Sequence, residues 1–157
     1  MPKVYLFDWG DTLMVDFPDQ KGKMCDWETV QAVDGAREAL KHLSESCSVY
    51  VATNAADSSE QDIKLAFERV GLDQYIDGYF CKANLGIGKG SPEFFHKIVQ
   101  QLGVSCHEVV MVGDNYDNDI GPAIEAGINA VWFSSDVTSN HIVARVKSLK
   151  DLCNKKK

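Results

Sequence analysis

The chain has 157 residues, 45% of them hydrophobic and 25% charged, with a formal charge of −7. That is the makeup of a single globular domain (1–157) long enough to bury its own core. The excess of acid argues against a nucleic-acid partner, whose affinity would come from Lys and Arg neutralising phosphates, and no apolar run approaches the ~18 residues of a membrane span. Cys25, Cys47, Cys81, Cys106 and Cys153 form no CxxC pair, and the N-terminus carries no basic-then-apolar signal segment. The expectation is a cytoplasmic protein with reduced thiols and no zinc site. The terminal "KKK" reads as a solvated tail, and the lack of an apolar seam as a monomer or weak dimer.

Four short apolar runs, Val4–Phe7, Val49–Ala52, Val109–Val112 and Ala130–Phe133, read as strands. They are continuous rather than alternating, the pattern of parallel strands covered on both faces. Gly78–Cys81 is a weaker fifth. Helical spacing joins Ala36, Leu40 and Leu43 behind a cap at Asp34, and Ile63, Phe67 and Val70 ahead of Gly71. It also joins Phe95, Ile98, Val99 and Leu102 ahead of Gly103. Ile124 falls in a short helix closed by Gly127, and Ile142, Val146 and Leu149 suggest a last helix. Strand alternating with helix predicts an α/β fold, three layers around a mainly parallel sheet of about five strands. Ligands of such sheets bind beyond the carboxyl ends of the strands.

Asp8 follows the first strand, Thr53 and Asn54 the second. "GDNYDND", with Asp114, Asp117 and Asp119, follows the fourth run in chain order, and Lys89 lies in "GKGSPEFF". Each alone has an ordinary reading: a turn or cap residue for Asp8, a cap for Thr53 and Asn54, a surface lysine for Lys89. Together, in a parallel sheet, they converge on one edge. Asp8 and Asp114 suit a hard cation such as Mg²⁺. A carboxylate can attack a phosphoryl group, and Thr53 and Lys89 can hold its oxygens. Phosphoryl transfer needs mainly this positioning and charge neutralisation.

With "FDWGDTL", "VYVATN", "KGSPEFF" and "GDNYDNDIGPAIEAG" in this order, the chain resembles the haloacid dehalogenase-like (HAD) superfamily, mostly Mg²⁺-dependent phosphatases with a Rossmann-like fold. The resemblance implies that Asp8 is nucleophile and metal ligand, that Thr53 binds the phosphoryl group, and that Lys89 neutralises it and orients Asp8. It implies Asp114 as second metal ligand, Asp119 as support for the metal directly or through water, and the backbone carbonyl of Gly10 as a further ligand. Asn118 matches the fourth motif without an assigned role.

The sequence departs from the family at Gly10, where relatives carry the Asp that protonates the leaving group and then activates water. Asp11 is either its substitute or a turn residue facing solvent. A positioned acid contributes ~10²–10⁴-fold. Its lack predicts rates that depend steeply on leaving-group pKa, aryl and acyl phosphates reacting faster than alkyl ones. Trp9 is expected to pack at the sheet end. Residues 14–34 leave room for a flap but not for a helical cap, and the span from Thr53 to Lys89 has none to spare. The chain therefore reads as capless, open to a small molecule or to an exposed phosphate on a macromolecule, with Trp27, Lys21 or Lys23 near the site. The leading expectation is a phosphomonoester hydrolase. The rivals are a non-catalytic phosphate- or protein-binding module of the same fold, which Gly10 favours, and a carbon–halogen or carbon–phosphorus hydrolase.

Overall fold

The computed structural model describes residues 2–55, 58–134 and 143–154. Among the described residues six strands form one sheet: β1 (Val4–Phe7), β2 (Ser48–Ala52), β3 (Gly78–Phe80), β4 (Val109–Gly113), β5 (Asn129–Phe133) and β6 (Ala144–Val146). Their order is β3-β2-β1-β4-β5-β6, and every neighbouring pair is parallel. The helices are α1 (Ala36–Ser44), α2 (Glu60–Glu68), α3 (Lys82–Leu85), α4 (Pro92–Leu102) and α5 (Gly121–Glu125).

The unbroken apolar runs have a simple cause. Successive side chains of a strand point to opposite faces, and both faces of this sheet are packed. Tyr5 and Phe7 join Leu40, Val51 and Phe67 in one core, while Val4 and Leu6 join Met111, Phe94, Phe95 and Ile98 in the other. The result is a three-layer Rossmann-like fold.

Two expectations need correction. The last helix gives way to a strand: Ala144–Val146 pairs with β5 and makes six strands of a sheet expected to have about five. Leu149 opens a 3₁₀ segment, Leu149–Asn154, in which Leu149 and Leu152 are buried. The helical spacing of Val146 and Leu149 yields to the hydrogen-bonding groups along the β5 edge, which a three-residue strand satisfies; Ile142 and the Lys155–Lys157 tail lie outside the described residues. Nor does Asp34 cap α1. Gly35 holds that place at φ 87°, without a side-chain cap, and a β-carbon there would come within 3.1 Å of Lys150. Ile124 does lie in α5, but with its side chain exposed.

No helical cap interrupts the described residues. Residues 14–34, the expected flap, form a loop segment whose Met24–Asp26 turn packs against α2. Met14 bridges to both Gly10 and Ala32, the Val15 N–H donates to Gln31 at 2.8 Å, and Met24–Asp26 forms one 3₁₀ turn. Two cations fasten the flap to the α2 side. Lys23 pairs with Asp62 at 3.0 Å. The Arg69 guanidinium donates to the carbonyls of Cys25, Trp27 and Glu28.

Candidate active site

β1 and β4 are neighbours in register, Phe7 beside Val112, so Asp8 and Asp114 leave adjacent strand ends together. The Asp8 N–H donates to the Val112 carbonyl at 2.9 Å, carrying the ladder up to the carboxylate. β2 ends on the other side of β1 and places the buried Thr53 there, its N–H bound to Phe80 at 3.0 Å. Asp8, Thr53, Asn54, Lys89, Asp114 and Asp119 all line a cavity of about 300 Å³, which Gly10 and Asp11 also border.

Lys89 ties the site together. Its Nζ donates to Asp8 Oδ1 at 2.7 Å and to the Ala52 carbonyl at 2.9 Å, and it lies 2.7 Å from Asp119 Oδ1. An ammonium has three N–H groups, so all are engaged. Lys89 therefore offers the cavity its charge and its hold on Asp8 rather than a spare donor. Its side chain is 2% exposed. Burial opposes the charge, but attraction to Asp8 and Asp119 and their hydrogen bonds outweigh it, and the pKa is raised.

Three carboxylates crowd the cavity that Lys89 lines: ligand oxygens of Asp8, Asp114 and Asp119 lie within 4.8 Å of one another. Burial, a hydrogen bond with Asp8 and repulsion from Asp8 push Asp114 up to about 7. Burial pushes Asp119 up to about 6, against the pull of Lys89. Negative charge thus exceeds positive charge in a half-enclosed place, and the donors are all hard oxygens. This set fits a divalent cation such as Mg²⁺, which Asp8 and Asp114 could hold directly. Asp119 is already committed, one oxygen to Lys89 and the other to the Asn115 N–H at 3.1 Å, which suits support through water.

Asn54 does more than line the cavity. Its Oδ1 accepts the Lys89 backbone N–H at 2.9 Å, locking the two loops together. Asp11 is exposed and sits at φ 61°, the left-handed region that few residues other than Gly adopt; its Oδ1 accepts the Asp16 N–H at 3.0 Å. Trp9 is buried, as expected, its Nε1 3.4 Å from Met14 Sδ. Trp27 is buried in the flap beside it, Lys23 is spent on Asp62, and Lys21 is exposed.

Two residues of the site escape the sequence reading. The buried Thr12 hydroxyl lies 3.2 Å from Asp8 Oδ2 and 3.1 Å from Asp114 Oδ1, and its single proton serves one of them at a time. Its signal was its place in "FDWGDTL". Gly113 is the other: a β-carbon there would stand 2.2 Å from Asp119 Oδ2, so only glycine leaves Asp119 its position. A strand ending in Gly-Asp carries that signal only once Asp119 is known to fold back.

The model of the haloacid dehalogenase-like hydrolases matches residues 10–127. Pyrimidine 5'-nucleotidase PynA of Streptococcus pneumoniae is 33% identical over 117 residues, 73% of this chain and 48% of that protein. The chain thus spans about half the length of this relative. Among solved structures, an uncharacterized protein from Listeria monocytogenes serotype 4b superposes with a TM-score of 0.82 at 23% identity, covering 95% of this chain and 93% of that one. Bacillus subtilis YfnB, described as a HAD-hydrolase bound to magnesium, gives a TM-score of 0.78 at 16% identity, covering 98% of this chain and 99% of that one. These two show the fold. With the match to the family model across most of its length, the chain belongs to the haloacid dehalogenase-like hydrolases.

Proposed function

We propose that the chain is a Mg²⁺-dependent phosphomonoester hydrolase that works through an aspartyl-phosphate on Asp8. The observation that carries this is the Lys89 ammonium, buried and 2.7 Å from Asp8 Oδ1 at the floor of a cavity shared with Thr53 and Asp114. Lys89 holds Asp8 aimed into the cavity. The carboxylate attacks phosphorus, the bond to the leaving oxygen breaks, and water then cleaves the acyl phosphate and returns Asp8. Thr53 binds the phosphoryl oxygens, and Asn54 holds the Lys89 loop beside them. When bound, Mg²⁺ neutralises phosphoryl charge as a Lewis acid; Asp8 and Asp114 would hold it, with Asp119 behind them and the Gly10 carbonyl in reach of the same cavity.

The named activity of the S. pneumoniae relative, a pyrimidine 5'-nucleotidase, supports a phosphorylated small molecule as substrate. The open site also admits a phosphate exposed on a macromolecule. Gly10 contributes no proton, and a site with no replacement would favour aryl and acyl phosphates. The same glycine favours a second reading, a phosphate-binding module without turnover.

Turnover of an aryl phosphate with Mg²⁺ separates the two. Asp8→Asn should lose about 10⁴–10⁶-fold in kcat, the range for deleting a nucleophile. A variant turning over like wild type would exclude the aspartyl-phosphate. A wild type that binds phosphate but turns over no ester would establish the binding module.

A further inference from the structure

The space beside Gly10 is occupied. A β-carbon on Gly10 would lie 3.5 Å from both the β-carbon and Oδ2 of Asp16, and 3.7 Å from its carboxyl carbon. These are ordinary van der Waals distances, and Gly10 is not among the positive-φ glycines. Residue 10 could therefore carry a side chain, and that side chain would meet the Asp16 carboxylate.

Asp16 also marks a border. A second cavity of about 250 Å³, lined by Trp9, Met24 and Trp27, adjoins the phosphoryl cavity, and Gly10, Asp16, Thr53 and Ala55 line both. A phosphoester with its phosphorus before Asp8 and its organic part in the second cavity has its bridging oxygen at this border. The backbone there is fastened by the Asp16 N–H to Asp11 Oδ1 at 3.0 Å and by the Met14 bridges. Asp11 thereby spends one carboxylate oxygen on holding Asp16.

We propose that Asp16, delivered from the flap into the place left by Gly10, is the catalytic acid and base. The proposal rests on the aspartyl-phosphate reading above. In the first step Asp8 forms a bond to phosphorus, and the phosphorus–oxygen bond to the leaving group breaks. The leaving oxygen takes that electron pair and the proton of the Asp16 carboxyl, and departs as the alcohol. In the second step the Asp16 carboxylate takes a proton from water as the water oxygen bonds to phosphorus. The bond from phosphorus to Asp8 breaks, freeing inorganic phosphate and restoring both carboxyl groups.

The test compares wild type with Asp16→Asn, with Mg²⁺, on glycerol phosphate and on acetyl phosphate, whose leaving group needs no proton. Turnover of glycerol phosphate should fall ~10²–10³-fold. The phosphoenzyme formed from acetyl phosphate, followed by mass spectrometry in a single turnover, should form at the wild-type rate and decay more slowly by a similar factor. Adding Gly10→Asp to Asp16→Ala should recover part of the glycerol phosphate activity, since the new carboxylate enters the vacated space. Phosphoenzyme formation slowed equally from both substrates, no slowing of formation or decay with either, or an alkyl-selective loss in Asp11→Ala but not in Asp16→Asn would overturn the assignment while the phosphoenzyme left the Asp8 reading standing. Absence of phosphoenzyme from wild type and variant alike would overturn both.

Discussion

Lys89 and Arg69 are both cations that gather oxygen atoms, one in the cavity at the sheet edge and one against the flap backbone. Lys89 is buried and binds two carboxylates and a carbonyl from three separate segments. Arg69 is exposed and binds three backbone carbonyls within four residues of one loop. The first neutralises charge that burial makes costly. The second fixes the path of a chain that water could otherwise solvate. The clustered carboxylates and their cation are thus assembled at the end of the parallel sheet, while the flap that carries Asp16 is held mainly through its backbone.

The sharpest way to break this comparison is to delete the buried cation. Lys89→Met leaves Asp8 and Asp119 facing each other across an apolar side chain. Removing one partner of a buried pair typically costs about 3–5 kcal/mol, and urea unfolding in chelator should show a loss of that order. A loss under about 1 kcal/mol, the range of an exposed pair, would put the two cations in one class.

Next in size is a pH effect at the same edge. An unfolded Asp titrates near ~3.9, whereas Asp119 and Asp114 in the folded protein are raised to about 6 and about 7. Between about pH 4 and pH 7 the folded state therefore holds protons that the unfolded chain has lost. Stability without a cation should fall as pH rises through that window and level off above it. The lowered carboxylates Asp62 and Glu108 act with the opposite sign and below it, where acid removes what their charge contributes. Mg²⁺ binds the ionised form, so it should stabilise more at pH 8 than at pH 5. Urea midpoints with chelator and with Mg²⁺ check this, and a flat profile in chelator would show that the carboxylates do not crowd one another.

The same division explains what the sequence disclosed. Asp8, Thr53 and Asp114 were legible because a parallel sheet puts the residue after each strand at a known edge. Lys89 was legible by type and family motif, but its saturation by Asp8, Asp119 and Ala52 was not, since it depends on three segments meeting. Asp16 and Arg69 carry no periodicity and belong to no strand end. Their partners are backbone groups and the space beside a glycine, which composition does not encode. β6 is not legible for a related reason: three residues of an edge strand, Ala144–Val146, give too short a pattern to compete with helical spacing.

The smallest expected effect is also the most local. Arg69→Ala removes the donors to Cys25, Trp27 and Glu28. Those carbonyls can turn to water, so the global cost should be about 1–2 kcal/mol, the net worth of one or two hydrogen bonds. Hydrogen exchange resolves where it falls. Flap amides such as Val15, bound to Gln31, and Trp27, bound to Met24, should exchange faster, because local opening needs only the flap to lift. The amides of β1 and β4, protected by the sheet ladder and both cores, should keep their relative protection. Arg69→Lys should recover little, since a point charge on a flexible stem cannot fork between three carbonyls. If protection instead fell evenly across flap and sheet, the flap would unfold only with the whole domain, and Arg69 would share with Lys89 the work of holding the fold together.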